Sequence, residues 1–220
     1  MAVIESVCFD LGGVLVRTCH SWAGGCAAAG LDIRRHADEP KAHAIRLELT
    51  HQLDLGCLIE AEWAEQLSRA WERLYSAEEI IRVHFAWTQR EYDGVGDVID
   101  ALHDAGIETS CLSNTNHAHW ARLLHLERRG WLADQPEYPT VRRLRKQFAS
   151  HLFGLAKPDP AIYEAFEKST ARSGPNILFF DDRPQNTLAA RARGWRAEWI
   201  DPHRETAPQI IARLREHRVL

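Results

Sequence analysis

The sequence predicts an α/β protein with a three-layer core, built on a parallel sheet of five or six strands, and an all-helical cap inserted into that core. Three apolar runs each end at a polar or turn-forming residue, which is typical of buried strands: Val3–Phe9, Ile107–Leu112 and Asn176–Phe180. Helix-like stretches alternate with these runs, and this alternation favours a parallel sheet with right-handed crossovers. Residues 17–92 show helical periodicity instead, which indicates the insertion.

The other predicted elements follow along the chain. Within the cap, apolar residues of Ala61–Tyr75 recur at i, i+3 and i+4, which predicts an amphipathic helix. Ser150–Phe153 and Arg196–Ile200 are weaker strand candidates. The predicted helices of the core are Gly94–Ala105, His117–Leu126, Pro160–Ser169, Thr187–Arg193 and Thr206–His217. We therefore expect a core formed by residues 1–16 and 93–220 and a helical cap formed by residues 17–92.

Composition excludes several classes of protein. Hydrophobic residues make up 45% of the 220 residues and charged residues 26%, which is ordinary globular usage and excludes disorder. The net charge of −4 gives no general attraction to nucleic acid or to an anionic membrane, so the basic stretch 127–146 is expected to be a solvated loop with a short helix. Five cysteines without paired spacing, and a start that leads directly into a strand, predict a reduced, cytoplasmic protein. The oligomeric state stays open.

Polar residues follow three of the predicted strands, at the edge of a parallel sheet where ligands bind. They are Asp10, Ser113, Asn114, Asp181 and Asp182. If the three strands are neighbours, the three carboxylates face one another across a small cleft, where they repel unless a cation is present. Hard oxygen ligands with room for water suit Mg²⁺, which commonly bridges to phosphate oxygens. The sequence therefore predicts a magnesium site.

Lys157 supplies a cation near the same edge, directly before a proline and a predicted helix that hold its backbone rigidly. Its ammonium group can neutralise a phosphoryl group and a carboxylate, while Ser113 and Asn114 can donate to the phosphoryl oxygens. Asp10 can then act as the nucleophile that forms an aspartyl-phosphate. Taken singly, an aspartate after a strand is usually a turn or cap residue, and a lysine before proline is usually a surface residue. Their combination in this order indicates a site.

Four motifs in this order resemble those of the haloacid dehalogenase-like hydrolase superfamily. They are Phe9–Leu15, Leu112–Asn116, Lys157-Pro158, and Phe179–Asp182 with Asn186. Within the superfamily they are most similar to the motifs of bacterial sugar-phosphate phosphatases and of the phosphatase domain of soluble epoxide hydrolases. The resemblance implies a Rossmann-like core, a helical cap at residues 17–92, and a Mg²⁺-dependent phosphatase that acts on a small phosphorylated metabolite.

The resemblance also implies a role for each residue of the site. Asp10 is the nucleophile as well as a metal ligand. The residues that hold the phosphoryl group are Ser113, Asn114 and Lys157. The ligands of Mg²⁺ are Asp10, the backbone carbonyl of Gly12, Asp182, and Asp181 either directly or through water.

Gly12 departs from the pattern of the superfamily, because most of its phosphatases carry an aspartate here as general acid and base. Such help is worth roughly 10²–10⁴ in rate, so its loss need not abolish turnover. A cap residue could replace it, with His20 as the first candidate, and Arg17 could meet the substrate when the cap closes. Two alternatives stay open: an inactive protein that binds a phosphorylated ligand or partner, and a 2-haloacid dehalogenase, which the pair Asp181 and Asp182 disfavours.

Overall fold

A five-stranded parallel sheet forms the core of the protein. The computed structural model describes residues 3–125 and 137–220. The strands of the sheet are β1 Ser6–Phe9, β4 Glu108–Ser113, β5 Lys146–Ala149, β6 Ile177–Asp181 and β7 Arg196–Trp199. They lie in the order β5-β4-β1-β6-β7, and every neighbouring pair is parallel. The predicted α/β class and its parallel sheet are confirmed.

Helices cover both faces of this sheet. They are α5 Val95–Asp104, α6 His117–Leu123, α7 Pro139–Arg143, α8 Ser150–Phe153, α9 Pro160–Thr170, α10 Pro184–Ala192 and α11 Thr206–Glu216, with a 3₁₀ turn at Gly174–Asn176. Side chains of β1 alternate between two hydrophobic clusters. Val7 and Phe9 pack with Ile99 of α5 on one face, whereas Cys8 packs with Phe166 of α9 on the other. Strands that are buried on both faces explain the uninterrupted apolar runs in the sequence.

Four further helices lie between β1 and α5 in the chain. They are α1 Trp22–Ala28, α2 Pro40–Asp54, α3 Glu60–Ala70 and α4 Ala77–Trp87. These helices share a hydrophobic cluster of their own, which includes Trp22, Leu53, Trp63, Leu67 and Tyr75. The chain enters and leaves them through two short antiparallel strands, β2 Val16–Thr18 and β3 Thr88–Glu91. We refer to α1–α4 as the cap.

Two details of the secondary structure differ from the predictions. Ser150–Phe153 is a helical turn and not a strand, and the strand β5 lies directly before it. Four residues are too few for their periodicity to distinguish a strand from a helix. The predicted all-helical segment 17–92 also contains β3, whose sequence Thr-Gln-Arg-Glu has no apolar run. Of the basic stretch 127–146, residues 127–136 lie outside the described part, and α7 lies in the remainder.

None of the helices in residues 3–125 and 137–220 combines the length and the apolar character that a membrane span requires.

Candidate active site

The ends of β1, β4 and β6 bring predicted site residues together. β1 lies between β4 and β6, and its last residue, Phe9, is paired with both neighbours. Asp10 follows directly, and its N–H donates to the carbonyl of Phe180 at 2.8 Å. Ser113 is the last residue of β4, and Asp181 is the last residue of β6. Residues that are distant in the sequence therefore meet at one edge of the sheet.

Lys157 is buried between two carboxylates at this edge. Its Nζ lies 2.7 Å from Asp181 Oδ2 and 3.1 Å from Asp10 Oδ2, and its side chain has no exposed surface. Burial alone would lower the pKa of Lys157, but the charges of Asp10 and Asp181 more than offset this effect and raise the pKa above its ordinary value. The ammonium group therefore stays charged and links the ends of β1 and β6.

Asn114 fixes the backbone of Lys157. Its Nδ2 donates to the carbonyl of Lys157 at 2.8 Å, and its Oδ1 accepts from the N–H of Lys157 at 2.9 Å. Both polar atoms of the Asn114 side chain are thus engaged with the segment that carries the lysine. The sequence predicts only donation from Asn114 to a phosphoryl oxygen, and not this positioning contact.

Asp181 and Asp182 complete a cluster of carboxylates with Asp10. One oxygen from each of the three lies within 4.8 Å of the others. Asp181 also accepts from Asn186 Nδ2 at 2.9 Å and from the N–H of Arg183 at 2.8 Å. Burial, followed by the charges of Asp10 and Asp181, raises the pKa of Asp182 to about 7, and burial raises the pKa of Asp181 as well.

This carboxylate cluster fits a divalent cation. Burial is the largest cause of the raised pKa values of Asp181 and Asp182, so a bound cation would replace the solvation that these ionised carboxylates lack. Hard oxygen donors suit Mg²⁺ better than a metal that prefers sulfur or nitrogen ligands. The donor set therefore agrees with the magnesium site that the sequence predicts, while the carbonyl of Gly12 stays a predicted ligand.

Two glycines shape the loop after Asp10. Gly13 has a φ of +73°, and a Cβ at this position would lie 2.5 Å from Asp182 Oδ2, so that a larger residue would displace this carboxylate. A Cβ on Gly12 would lie 3.2 Å from Cγ2 of Thr18, a close contact that a small shift of the methyl group relieves. Of the two glycines, only Gly13 is required by the geometry of the loop.

A cavity of about 200 Å³ lies between the carboxylate cluster and the cap. On the core side its wall includes Asp10, Ser113 and Asp182. On the cap side its wall includes Arg46, Thr50 and Asp54 of α2, together with Trp22, Trp63, His84 and Trp87. The spacing of four residues places the three α2 side chains on one face of that helix. The sequence does not single out these three residues, because no local pattern separates a helix face that borders a cavity from one that borders solvent.

Asp54 joins the cap to the core beside the cavity. Asn116 Nδ2 donates to Asp54 Oδ1 at 3.2 Å, and Ser150 Oγ donates to the carbonyl of Asp54 at 2.6 Å. Burial raises the pKa of Asp54 to about 6, although the hydrogen bond from Asn116 opposes this shift. Among the described residues of the cavity wall, Asp54 is the carboxyl group that does not belong to the predicted magnesium site.

His84 of α4 and His119 of α6 form a second contact between cap and core. Their buried rings are stacked with centroids 3.9 Å apart. His119 Nε2 donates to the carbonyl of His84 at 2.7 Å, and His84 Nε2 donates to Asn116 Oδ1 at 3.2 Å. Burial lowers the pKa of His119 to about 4 and lowers that of His84 well below its ordinary value. Both rings are therefore neutral at physiological pH.

The structure does not bring His20 and Arg17 into the cavity. The exposed His20 packs against His203, with ring centroids 4.5 Å apart. Arg17 forms an ion pair with Glu205, and its guanidinium lies 4.2 Å from the centroid of the Tyr92 ring. Both residues border a separate groove beside β2.

Comparisons with known proteins agree with the family that the motifs suggest. The family model described as haloacid dehalogenase-like hydrolase matches residues 4–194. Enolase-phosphatase E1 of Streptomyces avermitilis is 28% identical over 179 residues, which cover 77% of this chain and 65% of the relative. A phosphatase of Mycobacterium tuberculosis is 26% identical over 156 residues, which cover 70% of this chain and 67% of the relative. The match thus spans just under two thirds of the first relative's length.

Solved structures share the fold. A HAD family enzyme of Bacteroides thetaiotaomicron superposes with a TM-score of 0.73 and 20% identity, covering 95% of this chain and 99% of the enzyme. Another structure of that enzyme, in complex with magnesium and inorganic phosphate, superposes with a TM-score of 0.68 and 18% identity over 94% of this chain and 98% of the enzyme. At these identities the likeness concerns the fold.

Proposed function

Because the chain belongs to the haloacid dehalogenase-like hydrolase family, we propose that it is a Mg²⁺-dependent phosphatase acting on a small phosphomonoester. The observation that carries the proposal is the buried Lys157, whose Nζ contacts the carboxylates of both Asp10 and Asp181. The two curated relatives are named phosphatases, and the structurally similar enzyme binds magnesium and phosphate, which supports the same choice. Displacement of halide, by contrast, needs no cluster of metal-binding carboxylates.

Asp10 is the proposed nucleophile. The N–H of Leu11 donates to its Oδ1 at 2.7 Å, and Lys157 contacts its Oδ2, so that the carboxylate is held in place. Its attack on phosphorus forms an aspartyl-phosphate and breaks the bond to the alcohol oxygen, which leaves with a proton. Attack of water on the same phosphorus then releases inorganic phosphate and regenerates the carboxylate.

The surrounding residues stabilise charge on the phosphoryl group. The hydroxyl of Ser113 and the ammonium of Lys157 are the proposed donors to its oxygens. The proposed holders of Mg²⁺ are Asp10, the carbonyl of Gly12, Asp181 and Asp182. When bound, this cation would neutralise charge on the phosphoryl oxygens and on the carboxylates.

Asp54 is the proposed donor of the proton that the leaving alcohol needs. It lines the cavity, and an acid with a pKa of about 6 is partly protonated near neutral pH, as a general acid requires. It would take the role of the aspartate that Gly12 replaces. His20 is not proposed for this step, because its ring packs on His203 outside the cavity.

The first test measures phosphate release from p-nitrophenyl phosphate and acetyl phosphate, with Mg²⁺ or with EDTA. We expect turnover that requires Mg²⁺ and that falls to the background rate in Asp10→Asn, because this change removes the nucleophile. Asp104→Asn, at an exposed aspartate at the end of α5, is the matched control and should keep full activity.

Each outcome separates the proposal from its alternatives. Phosphate release that persists in Asp10→Asn would show that the nucleophile is wrong. A protein that binds Mg²⁺ and phosphate but releases none from either ester would favour a binding role. Release of halide from a 2-haloacid in the presence of EDTA would favour a dehalogenase.

A further inference from the structure

Arg46 is a buried cation on the cap side of the cavity. Its residue surface is 8% exposed, and within residues 3–125 and 137–220 no carboxylate forms an ion pair with it. Its side chain donates to His43 Nδ1 at 3.0 Å and lies over the rings of Trp87 and Trp22, with the guanidinium 5.0 and 6.0 Å from their centroids. Buried charges are normally paired, and the charge of Asp38 acts on Arg46 only from beyond ion-pair distance. Among the described residues, this arginine therefore has no charged partner in contact with it.

Arg46 borders the same cavity as the proposed nucleophile. Arg46 and Asp10 both line it, on the cap side and on the core side respectively. Trp63, another cap residue of this wall, is 2% exposed, and its Nε1 has no acceptor among the described residues. A buried N–H group that lacks an acceptor is costly in a folded protein unless a ligand supplies one. The buried charge of Arg46 thus calls for an anionic acceptor in this cavity, and the unpaired N–H of Trp63 adds to the cost of the same wall.

We propose that Arg46 binds a carboxylate of the substrate, so that the substrate class is a small phosphorylated carboxylic acid. This inference rests on the proposed phosphatase function and specifies its substrate. The planar guanidinium matches a carboxylate with two parallel N–H donors. The cavity of about 200 Å³ is smaller than the pockets of 300–1,000 Å³ that hold larger ligands, so a compact carboxylate suits it better than a second phosphate.

The arrangement gives each of the two anionic ends of the substrate its own cationic partner. At the core end, the phosphoryl group meets Lys157 and the magnesium site. At the cap end, the carboxylate meets Arg46. Thr50 lies between Arg46 and Asp54 on the same face of α2, where its hydroxyl can contact the middle of a short chain.

The test uses pairs of phosphate esters that differ in one group. Phosphorylated hydroxy acids of two to four carbons are compared with the diol monophosphates in which CH₂OH replaces the carboxylate, and with the corresponding bisphosphates. We expect kcat/KM of the wild-type protein to favour an acid over its diol counterpart about ten- to hundredfold, the usual effect of a hydrogen bond to a charged group.

Variants of Arg46 assign this preference to its side chain. In Arg46→Gln the ratio of acid to diol should fall to near one, mainly through the KM for the acid, and in Arg46→Lys it should fall less. Arg35→Gln, at an exposed arginine of the cap, is the matched control and should keep the wild-type ratio. Circular dichroism and the Tm of each variant establish that it is folded.

The outcomes separate this inference from the proposed function. If the wild-type protein hydrolyses both esters of a pair equally, or if Arg46→Gln keeps the preference for the acid, the carboxylate subsite is wrong while the phosphatase stands. Selective hydrolysis of the bisphosphates would overturn the assignment of a carboxylate. If no ester is hydrolysed, the phosphatase proposal fails. The subsite is then tested by Tm: an equal increase with acid and diol, or an unchanged acid effect in Arg46→Gln, would refute it.

Discussion

Single residues of the site are constrained in opposite ways. Lys157 must supply a charge, since its side chain is fully buried between the carboxylates of Asp10 and Asp181. Removal of one member of such a buried group typically costs about 3–5 kcal/mol, because the partners are left uncompensated. Gly13 must supply no side chain, since a Cβ there would lie 2.5 Å from Asp182 Oδ2. The residue type at position 157 is thus constrained by the charges of its neighbours, and that at position 13 by the close approach of Asp182.

Asp54→Asn is the residue-scale test of proton donation. It should slow the hydrolysis of alkyl phosphates about 10²–10⁴-fold, because their leaving alcohols need a proton. The loss with p-nitrophenyl phosphate should be much smaller, since p-nitrophenolate leaves without one. The measurement is kcat for both esters, with Glu48→Gln on an exposed part of the same helix as control. An equal loss for the two esters would rule out this role for Asp54.

A rescue experiment strengthens the same test. Gly12→Asp, combined with Thr18→Ser to remove the methyl group that approaches a Cβ at position 12, should restore part of the lost kcat for alkyl phosphates in the Asp54→Asn background. Gly12→Asn with Thr18→Ser is the matched control, because it has nearly the same shape but carries no acidic proton.

At the scale of elements, α4 and α6 meet through the stacked rings of His84 and His119. Because the folded state holds His119 with a pKa of about 4, against about 6.5 in the unfolded chain, the unfolded chain binds more protons between these values. Stability from this contact is therefore fully present above about pH 6.5 and is lost as the pH falls toward 4. The charge of Arg122 acts in the same direction, since it also lowers the pKa of His119.

His119→Gln should reduce this acid sensitivity. Between pH 7 and pH 5 the free energy of unfolding of the wild-type protein should fall by about 2 kcal/mol more than that of the variant, as follows from the shifted pKa. Urea unfolding at both pH values measures the difference, and His51→Gln at an exposed position is the control. Parallel pH profiles for wild type and His119→Gln would mean that this ring is not protonated on unfolding.

The elements differ in how far the sequence predicts them. β1, β4 and β6 are buried on both faces, so their apolar runs mark them clearly and place Asp10, Ser113 and Asp181 at one edge. The edge strand β5 begins Lys-Gln and is only half-buried over most of its length, so the apolar pattern favours the neighbouring Ser150–Phe153 as a strand instead. The other edge strand, β7, matches the weaker candidate Arg196–Ile200, so the apolar pattern marks central strands strongly and edge strands weakly.

At the scale of the whole molecule, the carboxylate cluster that suits a cation lowers the free energy of unfolding of the metal-free protein. Because the pKa of Asp182 is raised to about 7, its ionised form is disfavoured by the fold, and the metal-free protein should gain stability as the pH falls through about 7. A bound cation would remove this penalty. A ligand at a hundred times its Kd adds about 2.7 kcal/mol to the free energy of unfolding.

Asp182→Asn should therefore raise the Tm in EDTA at pH 8 and abolish the increase in Tm that Mg²⁺ produces in the wild-type protein. Thermal unfolding with EDTA and with Mg²⁺ measures both effects. Asp201→Asn, in the loop after β7, is the control for a general effect of removing one acidic charge. A variant that is stabilised by Mg²⁺ as strongly as wild type would exclude Asp182 as a ligand.

The core side of the candidate site was predictable and the cap side was not, for a physical reason. Asp10, Ser113 and Asp181 are placed by backbone pairing, which follows from the order of apolar runs. Arg46 and Asp54 reach the cavity only because α2 packs against the core, through contacts such as that of Asp54 with Ser150. Such packing depends on shape over many residues, and no short stretch of sequence encodes it.

The ribbon of β2 and β3 has a consequence for how this protein could diversify. Both passages between core and cap run side by side, with Val16 opposite Glu91 and Thr18 opposite Thr88. The segment between β2 and β3 therefore begins and ends at adjacent positions. Recombination at the ribbon would replace this segment without changing the order of the strands in the core sheet. Such an exchange would keep the proposed catalytic residues that follow β1, β4 and β6. It would replace the proposed substrate-binding residues on α2.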